Sequence, residues 1–130
     1  MILRKEFDAA CAEALKMIVE AGIYLSEADK SKITAADFGL SRLREEGIQI
    51  LTLFETDRIA AKILVLFPFQ TEPEHWHPSV GNDPGKEEII RALAGDLYFY
   101  IPGKDTLQKG FIVKDKSEYY TMRHEVVMDK

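Results

Sequence analysis

"EPEHWHPSVGNDPGKEEIIRALAG", residues 72 to 95, is the stretch on which the reading of this chain turns. It carries two of the chain's 3 histidines, His75 and His77, as an HxH. Glu87 and Glu88 come next, and six residues separate Glu88 from Gly95. On a strand, period-two alternation puts both histidines on one side, about 7 Å apart along the backbone. Two imidazoles and a carboxylate are a common ligand set for Mn, Fe, Zn or Ni. Glu88 joins them if the segment after the loop runs back antiparallel to the first. An isolated HxH is more often plain surface or core polarity. Here an aliphatic run leads into the pair, the tight loop "PSVGNDPG" returns the chain, and a carboxylate opens the next strand-like segment. These three features favour a metal site at His75, His77 and Glu88. Glu74 and Trp76 alternate away from it, Trp76 to pack and Glu74 to support the ligands from behind at most.

Outward from that stretch, the order of elements changes from helical to strand-like. Phe7, Cys11, Ala14, Leu15 and Ile18 recur at helical spacing, which predicts a helix over 3–21 stopped by Gly22. Thr34, with Asp37 three residues on, reads as the N-cap of a second helix ending near Glu46. "IQILTLFET" and "RIAAKILVLFPF" read as strands joined by "ETDR". "EIIRALAGDLYFYIPG" reads as two more strands meeting at Gly95-Asp96, and "KGFIVKDK" and "YYTMRHEVVM" as the last ones. The expectation is one domain over 1–130, mainly β, with a helical N-terminal part over 1–46 and barrel or sandwich strands over 47–130.

The 130 residues suffice for one domain with a buried core. A net charge of −5 argues against a nucleic-acid or anionic-membrane partner, because phosphates call for a clustered positive surface. The single cysteine, Cys11, excludes an intrachain disulfide and suits a reduced interior, so the expected location is the cytoplasm. The longest apolar run is too short to span a bilayer, and the N-terminus does not read as a signal peptide.

H-x-H, a gap and E-x6-G together form a motif that resembles the first motif of the cupins, with a longer gap than the commonest form. The likeness narrows over residues 56 to 103. A lysine-bearing strand leads there to P-x-Q, then P-E-H-x-H-P, then G-K-E-E, as in the small cupin-type D-lyxose isomerases. "FGLSRLREEGIQI" and the N-terminal helices also fit that family. The resemblance implies a double-stranded β-helix, or jelly-roll-like, barrel behind two N-terminal helices. It also implies a divalent metal, Mn most of all, with Zn, Fe, Ni or Co as alternatives. A further histidine is expected from a second motif, after a strand like "YTMRHEVVMDK" and a P-G or K-G turn. The sequence stops at Lys130, so the expectation is a barrel incomplete at its C-terminus. His124 is the alternative fourth ligand, and water or a partner chain are others.

The implied reaction is aldose–ketose isomerisation, D-lyxose to D-xylulose, through a metal-stabilised cis-enediol. Lys62, the only charge in "IAAKILVLF", is the candidate catalytic residue, either buried with a shifted pKa or with its head snorkelled to water. Lys86 and Glu87, at the loop corner beside Glu88, are candidates for holding sugar hydroxyls. Tyr98 and Tyr100 alternate with Leu97 and Phe99, and one of these faces lines the cavity. Two other readings stay open. One is a non-catalytic cupin that binds metal or sugar as a sensor or accessory protein. The other is a cupin dioxygenase using the same two-histidine, one-carboxylate face. A homodimer is the default assembly for a small barrel with exposed sheet edges.

Overall fold

The computed structural model describes residues 1–113 and 119–129. Two compact units divide the chain, Met1–Pro73 and Glu74–Lys130. Both are built on antiparallel sheet, and the first adds the helices. The described strands form one three-stranded and one two-stranded sheet, and neither closes into a barrel. No helix among the described residues is long and apolar enough to cross a membrane.

In the first unit, α1 runs over Arg4–Glu20, as the apolar spacing predicts. Glu6 caps its start by accepting from the Leu3 N–H at 3.0 Å. Its end is a Schellman turn. Gly22, at φ 85°, donates to the Val19 carbonyl, and Ile23 donates to that of Ile18. Ala10, Cys11, Ala14 and Ile18 form its buried stripe. Ala14 and Ile18 pack with Leu25, Leu51 and Val65, while Ala10 packs with Leu43 and Phe67. The helix therefore lies on the sheet through two apolar clusters, and small residues let it approach closely.

That sheet has the order β1–β2–β3, with β1 at Ile33–Ala36, β2 at Ile48–Glu55 and β3 at Ala60–Val65. Ile33 stands opposite Leu51, and Leu51 opposite Ile63. A bulge falls between Thr52 and Phe54. The "ETDR" turn forms as expected: Thr56 N–H donates to the Ile59 carbonyl at 2.8 Å, and its hydroxyl oxygen accepts from Arg58 and Ile59 N–H.

The helix expected from Thr34 to Glu46 is replaced by β1 and a chain of turns. Among the described residues the only other helix is the single turn α2, Glu27–Lys30, capped by Ser26. Ile33 and Thr34 are β-branched and find a partner strand in β2, which outweighs the local capping pattern. Asp37, read as part of a helix start, instead accepts from Gly39 and Ser41 N–H at 3.0 Å each. Phe38, Gly39 and Ser41 all have positive φ, which no helix tolerates.

In the second unit, β4, Leu97–Ile101, pairs with β5, His124–Met128, from Leu97↔Met128 to Ile101↔His124. The loop before β5 is tied to it by individual bonds. Arg123 pairs with Asp105 at 2.7 Å, and Thr106 N–H donates to the Arg123 carbonyl at 3.0 Å. The Glu125 carboxylate accepts from the N–H groups of Gln108, Lys109 and Gly110.

Three expected strands do not appear as ladders. The His75–His77 segment pairs with no strand, because Pro73 and Pro78 on either side lack the N–H a ladder needs. Residues 88–94 are also outside any strand, with Ile89 fully exposed. Ile112 and Val113 are buried without joining a sheet, and the rest of that expected strand, residues 114–116, lies outside the described residues.

Candidate metal centre

The loop between the histidines and the acidic pair is built by its turn residues. Val80 and Asp83 exchange backbone hydrogen bonds at 3.0 Å in both directions, closing a tight turn with Gly81 at φ 60°. The Asp83 carboxylate then accepts from Gly85 N–H at 3.0 Å. Gly85 has φ 83°, and a Cβ there would meet the His77 carbonyl oxygen at 2.5 Å. Only glycine allows this approach. It lets Lys86 N–H donate to the His77 carbonyl at 3.3 Å, which sets the returning chain beside the first.

The consequence is that Glu88 reaches the histidines. One ligand atom from each of His75, His77 and Glu88 lies within 4.8 Å of the other two, a geometry that can hold a metal ion. The two imidazoles meet edge to face, with centroids 5.0 Å apart. His77 Nε2 is 3.7 Å from Glu88 Oε1. All three side chains are exposed, so an ion or small solute can reach them from solvent. The proximity arises without the strand the spacing predicts, since this segment lies in no ladder.

Lys86 completes the local electrostatics. Its ammonium lies 2.5 Å from Glu88 Oε1. That hydrogen bond, with the Lys86 charge, holds the Glu88 carboxyl below the usual carboxylate value against the opposing effect of partial burial. Glu87 is exposed at the same corner.

His124, the alternative fourth ligand, is not among the three. Its Nδ1 is 3.0 Å from the Lys104 carbonyl and 3.4 Å from Thr106 Oγ1, a pairing that fixes the ring at the start of β5. Lys62 lies on the more exposed face of β3, its ammonium 3.6 Å from Glu55. It is snorkelled and paired instead of buried. Tyr98 and Tyr100 are half-buried on β4.

Sequence reasoning underrated Glu74. Its carboxylate accepts from Thr121 N–H at 2.5 Å, Thr121 Oγ1 at 2.6 Å and Met122 N–H at 3.0 Å. Burial pushes this carboxyl up, but the hydrogen bonds from Thr121 and Met122 outweigh it and hold it below the usual value. The only signal in the sequence was its place directly before His75.

No family model matches the chain. Curated relatives do. A D-lyxose ketol-isomerase of Cohnella laeviribosi is 43% identical over 124 residues, which is 95% of this chain and 68% of the relative. A D-lyxose/D-mannose isomerase of Thermosediminibacter oceani is 42% identical over 126 residues, 96% of this chain and 68% of the relative. A D-lyxose ketol-isomerase of a Thermofilum species is 37% identical over 129 residues, 98% of this chain and 72% of the relative.

Proposed function

Because this chain belongs to the D-lyxose ketol-isomerase family, and is an isomerase of that kind, we propose that it interconverts D-lyxose and D-xylulose at a divalent metal held by His75, His77 and Glu88. The observation that carries the metal is the convergence of two imidazoles and one carboxylate within 4.8 Å. This donor set fits a borderline or hard dication, and the absence of thiolate among the three favours Mn²⁺ for an oxygen-rich substrate. When bound, such an ion supplies Lewis-acid polarisation of the sugar carbonyl.

The chain's own residues supply the rest of this reading. The reaction removes a proton from C2 of the open-chain aldose and returns one to C1, while a hydroxyl proton passes between the two oxygens. Lys86 and Glu87, at the corner beside the ligands, hold sugar hydroxyls in place. The family resemblance is what puts Lys62 forward for proton transfer, a step for which its ammonium, paired with Glu55 at 3.6 Å, must first give up a proton. A cupin barrel, a cytoplasmic location and a homodimer belong to the same reading. They are supported by the family resemblance, the lone cysteine and the sheet edges at β1 and β3.

The test is metal content after dialysis with Mn²⁺, together with ketose formation from D-lyxose, for the unaltered chain and a His75→Ala/His77→Ala variant. Stoichiometric metal and turnover, both lost in the variant, are expected. Turnover that survives in the variant overturns the assignment of the ligands.

A further inference from the structure

The segment that carries both histidines has no strand ladder to hold it, yet metal ligands need fixed geometry. One tie to the rest of the unit comes from a carboxylate. Glu74, one residue before His75, takes three hydrogen bonds with its two carboxylate oxygens, all from residues 47 and 48 positions later in the chain. Those donors, Thr121 and Met122, run directly into Arg123, which is bonded to Asp105 and Thr106, and then into β5, which pairs with β4. A continuous path of bonds therefore leads from the two-stranded sheet, through Glu74, to the backbone of His75.

The carboxylate itself is engaged by Thr121 and Met122. It is one residue from His75, yet the three grouped ligand atoms come from His75, His77 and Glu88 without it. This carboxylate is not part of the group that could hold the ion. What it can do is fix where the histidine segment begins.

We infer that Glu74 is a positioning residue for the His75–His77 ligand pair, acting through its hydrogen bonds to Thr121 and Met122. This rests on the metal reading of the triad. Glu74→Ala removes one restraint on the start of the segment, so the two imidazoles and Glu88 converge less often and the ion is held less tightly.

The experiment is Mn²⁺ affinity by isothermal titration, with the ligand-field spectrum of the Co²⁺-loaded protein as a reporter of ligand geometry. Both are run on the unaltered chain, Glu74→Ala, Glu125→Ala and His75→Ala/His77→Ala, at a temperature where circular dichroism shows every variant folded. Glu125 is the matched control, since it also collects three backbone N–H donors in the same unit but adjoins none of His75, His77 and Glu88. On the order of a 10-fold or greater loss of affinity and an altered Co²⁺ spectrum are expected for Glu74→Ala, with neither change in Glu125→Ala. A Thr121→Val change, which removes only the Oγ1 donor, should give a smaller loss in the same direction. Unchanged affinity in Glu74→Ala, or equal losses in Glu74→Ala and Glu125→Ala, overturns the role. No binding in the unaltered chain, or binding that survives His75→Ala/His77→Ala, overturns the metal reading and this role with it.

Discussion

Lys86 and His77 meet at one oxygen: the ammonium lies 2.5 Å from Glu88 Oε1, and His77 Nε2 lies 3.7 Å from the same atom. A dication held as proposed by the histidines and Glu88 would draw on the same carboxylate, so lysine and metal would compete for it. Like charges at such distances repel.

Lys86→Gln tests this competition. Removing the ammonium should tighten Mn²⁺ binding several-fold while weakening the hold on sugar, so KM for D-lyxose rises. Titration calorimetry and initial-rate kinetics read the two effects separately. Weaker metal binding in this variant would show that Lys86 supports the site and does not compete for it.

Gly85→Ala tests how the loop delivers Glu88. The new Cβ would meet the His77 carbonyl oxygen at 2.5 Å, on backbone at φ 83°. Strain of about 1–3 kcal/mol is expected for a residue forced there. The loop should shift to relieve it, carrying Glu88 off the histidines and lowering metal affinity roughly 10-fold. A variant that binds Mn²⁺ as tightly as the unaltered chain shows that the close approach is not required.

Leu51→Ala probes the first unit. Leu51 is fully buried and packs with Ala14, Ile18, Leu25 and Val65. Truncation should cost about 2–5 kcal/mol, the usual range for a buried leucine. Denaturant unfolding followed by far-UV circular dichroism measures it, and a loss under about 1 kcal/mol would mean that the helix does not depend on this contact.

Acid sensitivity of the second unit should centre in part on Glu125. Desolvation pushes this carboxyl up, but the N–H groups of Gly110, Lys109 and Gln108 together hold it below the ordinary value. A folded-state value below the unfolded one gives stability that is present above the unfolded value, near pH 4.5. That stability fades as pH falls through the lower, folded value. Glu125→Gln should therefore flatten the acid limb of the stability profile below about pH 4.5. Identical limbs in the two proteins would exclude Glu125 from that titration.

Much of the site was legible in one dimension. His75, His77 and Glu88 could be picked out because two histidines at period two and a carboxylate after a Gly/Pro loop form a local pattern. The α1 stripe, its stop at Gly22 and the β2–β3 hairpin were legible for the same reason: each depends on neighbours close in the chain. Thr34 and Asp37 misled because a local capping pattern competes with a partner strand that the local pattern does not show.

The chain's own order of residues thus determined the candidate ligand types, the first helix, the hairpin and the turn that returns Glu88 to the histidines. Tertiary structure alone decided three further things. β1 exists because β2 lies beside it, and Lys62 is paired because Glu55 sits across the hairpin. The histidine segment is anchored because Thr121 and Met122 present their donors to Glu74 from far along the chain. Hydrogen bonds and ladders between distant residues form only once the chain has been brought together, and no short stretch of sequence records that closure.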